Sequence, residues 1–291
     1  MAWSSSEGAT PTLKHVGAGT TPIVSTAADA TKSYLIYRDV WSSLAAASQC
    51  GEVFERDGLW IATAGGKWAV MNTVFLSRAV ESEADLRDRI SFAKSYFDAN
   101  KRLWLFVSFN SWLCPSIEPE QLFWEHRVAH MHGCFGMQAT RLLEPRRLPP
   151  ELAYRLVDND AERLAFSDIN ADSYGFPEEW RSDVAAWISQ WPPSKARLYV
   201  GYFGDSPVTS AMVYLTGKVA YLGFLATRRG FEGKGYAEAI SRYALARAKE
   251  HWDFRESILH STPAGLSLYR RMGYSRVASF GIYLGGYYYQ E

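Results

Sequence analysis

Thr227-Arg-Arg-Gly-Phe-Glu-Gly-Lys-Gly-Tyr-Ala-Glu-Ala-Ile240 decides how the second half of this chain folds. An apolar run, Val219 to Ala226, leads into it, and Ala237, Ile240, Ala244 and Ala248 follow at helical spacing. The stretch reads as a glycine-rich turn from a strand into the start of a helix. First-turn N–H groups of a helix have no partner inside it, and the helix dipole adds partial positive charge there. Glycines let such a backbone approach a bulky anion, so the arrangement suits a phosphate or pyrophosphate.

A second segment lies downstream. Ile258 to Thr262 reads as a short strand, and Pro263 to Tyr274 as a short helix stopped by Gly273, a residue suited to a left-handed C-cap. Together the two segments resemble the GNAT superfamily of acyl-CoA-dependent N-acyltransferases. Glu232-Gly-Lys-Gly235-Tyr-Ala237 stands where that family reads Gln/Arg-x-x-Gly-x-Gly/Ala. Thr262-x-x-Gly265-x-x-x-Tyr269, followed by Gly273-Tyr274, stands where it reads Asn-x-x-Ala-x-x-x-Tyr and a Gly-aromatic pair. Glu232, Thr262 and Gly265 depart from the pattern. A carboxylate at 232 would repel phosphates, and Arg228, Arg229 and Lys234 supply the opposing charge. The resemblance covers residues 152–288.

The resemblance implies an α/β (α+β) fold, a mixed and mostly antiparallel sheet flanked by helices, with acetyl-CoA or another acyl-CoA as cosubstrate. Phe224, Leu225 and Ala226 would pair with the pantetheine arm and polarise the thioester carbonyl. Gly233, Lys234, Gly235, Tyr236 and Ala237 would hold the pyrophosphate, with Arg228, Arg229, Thr262 and Gly265 completing the cofactor site. Tyr269 would be the general acid for the departing thiolate. The strand Val219 to Ala226 holds no acid, so the base falls to His260, Glu178, Glu179 or a water relay; His260 has a suitable intrinsic pKa. The acceptor pocket would use Tyr174, Phe176 and Trp180, suiting a small, partly apolar amine; the same rings could instead pack the two halves together.

At 291 residues the chain has room for two domains. We divide it into a Ser/Thr/Ala/Gly-rich flexible tail (1–33), a first half (34–145), a linker around Arg146-Arg-Leu-Pro-Pro150 (146–151) and the acyltransferase-like half (152–291). In the first half, Trp60–Ala64 and Trp68–Phe75 read as a hairpin. A helix at Glu83–Ala99, a strand at Leu103–Phe109, a helix at Glu120–Met131 and a strand at Phe135–Leu143 follow. That order resembles a degenerate GNAT half in tandem with the first motif's half. Leu76-Ser-Arg-Ala-Val-Glu81 replaces its glycine loop, so no CoA site is expected there. In the second half, Asp158 or Asn159 caps a helix near Ala161, Glu178–Trp191 forms another, and Ala278–Tyr288 is a final strand.

His126 and His130, four apart, share a helical face, and with His132 or Cys134 could ligate zinc. Alternatively they dress a helix end beside a buried thiol. No second ligand pair has metal spacing, and no metal is expected. Zero net charge gives no field for nucleic acid or an anionic membrane. Three cysteines without a framework, no apolar run near ~18 residues and no secretory pattern lead us to expect a cytoplasmic protein. The acceptor is expected to be a small-molecule amine; the oligomeric state is not legible. The alternatives are a GNAT-fold enzyme acting on another nucleophile or decarboxylating an acyl-CoA, and a non-catalytic acyl-CoA sensor.

Overall fold

The computed structural model describes residues 25–177 and 180–286. Its first helix, α1 (Ala27–Ala46), starts inside the segment read as a tail. The Thr26 side chain accepts from the Asp29 N–H while the Asp29 carboxylate accepts from the Thr26 N–H, a reciprocal cap hidden among small polar residues. The tail reading is therefore corrected from Thr26 onward; residues 1–24 lie outside the described residues.

The first half continues with β1 (Glu52–Arg56), β2 (Leu59–Thr63), β3 (Asn72–Leu76), α2 (Glu83–Ala99), β4 (Trp104–Phe109), α3 (Pro119–Glu125) and β5 (Ala129–Ala139). The second runs β6 (Ala153–Leu156), α4 (Asp160–Tyr174), α5 (Arg181–Ile188), β7 (Ala196–Phe203), β8 (Ser206–Thr216), β9 (Val219–Thr227), α6 (Tyr236–His251), β10 (Glu256–Ser261), α7 (Leu266–Met272) and β11 (Ser275–Gly285). Asn159 caps α4 by accepting from the Glu162 N–H, and Gly273 ends α7 in the left-handed conformation, φ 103°. The helix expected over Glu120–Met131 stops at Glu125. Arg127 takes a positive φ of 56° and the chain turns into β5, so His126 and His130 do not share a helical face.

From β1 to β5 the first half repeats the order of the second from β7 to β11: a three-stranded meander, a helix, a strand parallel to the meander's last, a short helix, a long strand. The strands form one sheet in the order β1-β2-β3-β4-β11-β5-β10-β9-β8-β7-β6. The long last strands are exchanged. β5 pairs antiparallel with β10 of the second half, β11 with β4 of the first, and the two pair with each other at the centre. The tandem halves thus share a continuous sheet. Helix α1 lies across β11, β5 and β10. Its Tyr34, Val40 and Leu44 are fully buried, and Trp187 of α5 donates its indole N–H to the Leu44 carbonyl at 3.1 Å.

Candidate functional site

Strands β9 and β10 pair in parallel from Val219/Glu256 to Leu222/Leu259 and then part. Past that point β9 also slips against β8: Met212 faces Gly223 but Ser210 faces Ala226, so β9 carries an extra residue. The bulge centres on Phe224, whose φ of 48° is left-handed, unusual for a bulky residue. A buried relay supports it. The Ser210 hydroxyl donates to the Phe224 carbonyl at 3.1 Å, and the Asn170 amide of α4 donates to that hydroxyl at 3.1 Å. The result is a mouth between two strands, edged by backbone displaced from the ladder.

The loop from β9 to α6 turns at Gly230, Gly233 and Gly235, with φ of 81°, 75° and 84°. An L-residue would be strained at each. Chain neighbours aside, no atom of the described residues would lie within 4 Å of a Cβ at Gly230 or Gly233, so the space before the loop is open. Gly235 is the N-cap of α6, and no side chain among the described residues caps that helix. The Glu232 carboxylate accepts from the Gly230 N–H at 2.6 Å, and the Asp172 carboxylate from the Arg229 N–H at 2.7 Å, which spends both charges on the loop's own backbone. The Arg228 Nε is buried with no hydrogen-bond partner among the described residues. Free N–H groups, open space and an orphaned guanidinium nitrogen fit a pyrophosphate.

Tyr269 stands on α7, beside the parted end of β10. A Cβ at Gly265 would come within 2.6 Å of the Ser261 Oγ and 3.0 Å of the Tyr269 ring, so Gly265 makes room for that ring. Burial first, then the neighbouring Tyr174, Tyr274 and Cys134, push the Tyr269 phenol well above its ordinary pKa. The phenol therefore stays protonated across the physiological range.

Residues 162–274 match the model of the acetyltransferase (GNAT) family. Those residues form a GNAT domain. Solved structures extend the likeness in fold to most of the chain. A GCN5-related N-acetyltransferase from Kribbella flavida is 15% identical with a TM-score of 0.65, covering 88% of this chain and 97% of its own. A conserved protein of unknown function from Staphylococcus epidermidis is 15% identical with a TM-score of 0.61, over 81% and 94%. A GCN5-related N-acetyltransferase from Sphaerobacter thermophilus is 14% identical with a TM-score of 0.51, over 79% and 76%. Comparison with curated proteins finds no match.

Within the GNAT domain the expected residues do not all converge. The glycine loop with Lys234, Tyr236 and Ala237 leads directly from the bulged Phe224, Leu225 and Ala226. Thr262 caps the turn before α7, its carbonyl accepting from the Gly265 N–H at 3.1 Å. His260 lies on the α1 side of β10, its imidazole stacked on Tyr37 with centroids 3.9 Å apart. Its Nε2 meets the Ser33 Oγ at 3.2 Å and its Nδ1 has no partner among the described residues. Burial pushes its pKa down to about 3, which corrects the expectation of a base with an ordinary imidazole pKa. Glu178 and Glu179 lie outside the described residues.

The aromatic candidates divide. Tyr174 is about half exposed while its hydroxyl donates to the Leu225 carbonyl at 3.4 Å, so it reaches the edge of the mouth. Phe176 packs edge-on against Trp68 of the first half, 4.7 Å between centroids, and Trp180 lies 6.2 Å behind it. Trp41, Trp68, Trp187 and Trp191 surround the Phe224 ring. Burying each such ring stabilises the halves' contact by roughly 1.5–3 kcal/mol. Among the described residues no group of three or more His, Cys, Asp or Glu is placed to hold a metal. His126 instead bonds the Leu122 carbonyl and Ser91, and His132 bonds the Gly133 carbonyl. The sequence reading missed Tyr37 and Tyr221 and weighed Cys134 only as a zinc ligand or a buried thiol; the three lie together where β9 and β10 part. A glycine inside a strand, Gly223, was the available signal for the bulge.

Proposed function

We propose that residues 152–291 work as an acyl-CoA-dependent N-acyltransferase, using acetyl-CoA to acylate a small amine by direct attack in a ternary complex. The observation that carries this is the continuity of bulged β9, the open mouth, the glycine loop and the bare start of α6. A bound acyl-CoA would supply an activated acyl group on a thiolate leaving group. Gly233 to Ala237 would hold its pyrophosphate by backbone N–H groups, with Arg228 and Lys234 adding charge. The displaced backbone of Phe224, Leu225 and Ala226 would pair with the pantetheine amides and polarise the carbonyl. Tyr269 would donate its phenolic proton to the sulfur as the C–S bond breaks. Three free thiols and zero net charge support a reducing, cytoplasmic setting without a nucleic-acid partner. No helix among the described residues is long and apolar enough to cross a membrane.

Acetyl-CoA is expected to raise the unfolding temperature by mass action. Gly235→Val should weaken that shift, while strain at φ 84° lowers the ligand-free stability by about 1–2 kcal/mol. Absence of any shift with acetyl-CoA and with longer acyl-CoAs would remove the reading. Tyr269→Phe should lower kcat about 100-fold with acetyl-CoA binding kept. The second reading, an acyl-CoA sensor, is supported by His260, which cannot take a proton at neutral pH. Acyl-CoA binding without turnover of any acceptor would favour it.

A further inference from the structure

The floor of the mouth is made by both halves. Tyr37 comes from α1 and Cys134 from β5, while Tyr221 and His260 come from β9 and β10. Tyr221 stands one position before the last β9–β10 pair and His260 one position past it. The Tyr37 ring lies flat on the His260 ring at 14° and nearly parallel to Tyr221, 6.4 Å away at 16°. Tyr221 is 2% exposed and Tyr269 8%. Among the described residues the hydroxyls of Tyr37, Tyr221 and Tyr269 make no hydrogen bond, and none of the three is among the side-chain atoms sealed from solvent without a partner, so each reaches accessible space. Three phenol hydroxyls left open on an otherwise aromatic lining point to a ligand with a polar group.

Charge narrows that ligand. The groups acting on the Tyr37 and Tyr221 hydroxyls are one another, Tyr174, Tyr269 and the Cys134 thiol. Among the described residues no carboxylate, ammonium or guanidinium is among them. His260 is neutral, and burial pushes the Cys134 thiol up to about 12, so neither offers a counter-charge at neutral pH. An ammonium entering here would lose its hydration and meet no anion among the described residues; an uncharged amine would lose far less and could hydrogen-bond the phenols.

We propose that Tyr37 of the first half and Tyr221 of the second are the acceptor-binding residues of a composite site that selects a weakly basic amine, such as an arylamine, uncharged at neutral pH. The inference rests on the acyltransferase reading. The nitrogen lone pair is free on entry, so attack needs no prior deprotonation. The N–C bond forms as the C–S bond breaks; sulfur takes the Tyr269 proton, and the proton shed by nitrogen returns to Tyr269 through the Tyr221 hydroxyl. Amine and thioester become amide and thiol, with no proton left over.

The test measures acetyl-CoA binding by calorimetry and, separately, CoA release with a panel of arylamines and alkylamines, the latter protonated like lysine near 10.4. Arylamines should exceed alkylamines in kcat/KM by roughly tenfold or more at pH 7. Tyr37→Phe and Tyr221→Phe should each raise the arylamine KM about tenfold and leave the acetyl-CoA KM unchanged, a split that loosened folding would not produce. Preference for alkylamines, turnover of neither class, or an arylamine KM indifferent to both variants overturns the inference. Intact acetyl-CoA binding in those cases leaves the cofactor site standing; no acetyl-CoA binding would overturn both.

Discussion

Past its last pair, the gap between β3 and β4 is filled by protein, whereas the gap between β9 and β10 is lined by it. In the first half, Tyr34 of α1 stacks on Phe109 at 4.7 Å, lies edge-on to Trp112 at 4.9 Å, and donates its hydroxyl to the Leu76 carbonyl. The Val80 N–H then bonds the Trp112 carbonyl at 2.8 Å, closing the outer end. Arg89, 1% exposed, gathers the carbonyls of Gly58, Arg78 and Ala79 and pairs with Asp85. The equivalent loop of the second half turns its N–H groups outward on three left-handed glycines, and the small Ser261 stands at the strand position that Phe109 takes in the first. The same topology therefore yields an open mouth or a solid core, depending on whether carbonyls are tied to an internal cation or amides are left facing open space.

The comparison breaks most severely at Arg89. Arg89→Ala would leave three carbonyls and Asp85 without their cation, and should cost about 3–5 kcal/mol. Thermal unfolding should show a fall of roughly ten degrees with the acetyl-CoA shift retained. A fall under about one degree would mean the closed loop does not depend on this residue.

The next effect is acid sensitivity. His260 and Ser108 occupy equivalent positions, one past the last parallel pair, but only His260 titrates. Folded, it resists protonation down to about pH 3; unfolded, it would bind a proton below about 6.5. The unfolded state thus holds more protons in that window, and stability should fall by roughly 1.4 kcal/mol per pH unit below 6.5. Denaturant titrations at several pH values should show this slope in the wild type and lose it in His260→Phe. The smallest effect belongs to Tyr34→Phe, which keeps the ring and removes one hydroxyl bond. It should cost about 1 kcal/mol in the same titrations and leave acyl transfer untouched.

What was legible in the sequence was local. Glycines at turns, Asn159 before α4 and Gly273 after α7 each act within a few residues, and all stand where expected. Helix α2 matches its expected range for the same reason, since its apolar face is periodic. The capping box at Thr26 was equally local but sat in a run of small residues that resembled a tail. Partner choice was not legible. Nothing in Ala129–Ala139 or Ser275–Gly285 marks them as strands that cross to the other half, because pairing is decided by distant backbone. The mouth's floor was missed on that account: Cys134 and Tyr37 reach it only through the exchanged strand and the helix lying over it. The lowered pKa of His260 has the same origin, since burial under α1 is a tertiary fact.

The exchanged strands also set the order in which the molecule can be completed. β4 is made early, but its antiparallel neighbour β11 is synthesised after every other described strand. Until then the first half carries an open hydrogen-bonding edge beside a core rich in Phe and Trp, the kind of surface that invites wrong pairings. β10 has the opposite history, finding β5 already waiting. A ribosome-bound first half is thus an unfinished object and a client for holding factors, and severing the chain at the linker would yield two fragments that each keep their own last strand but lack the exchanged strand their sheet pairs with.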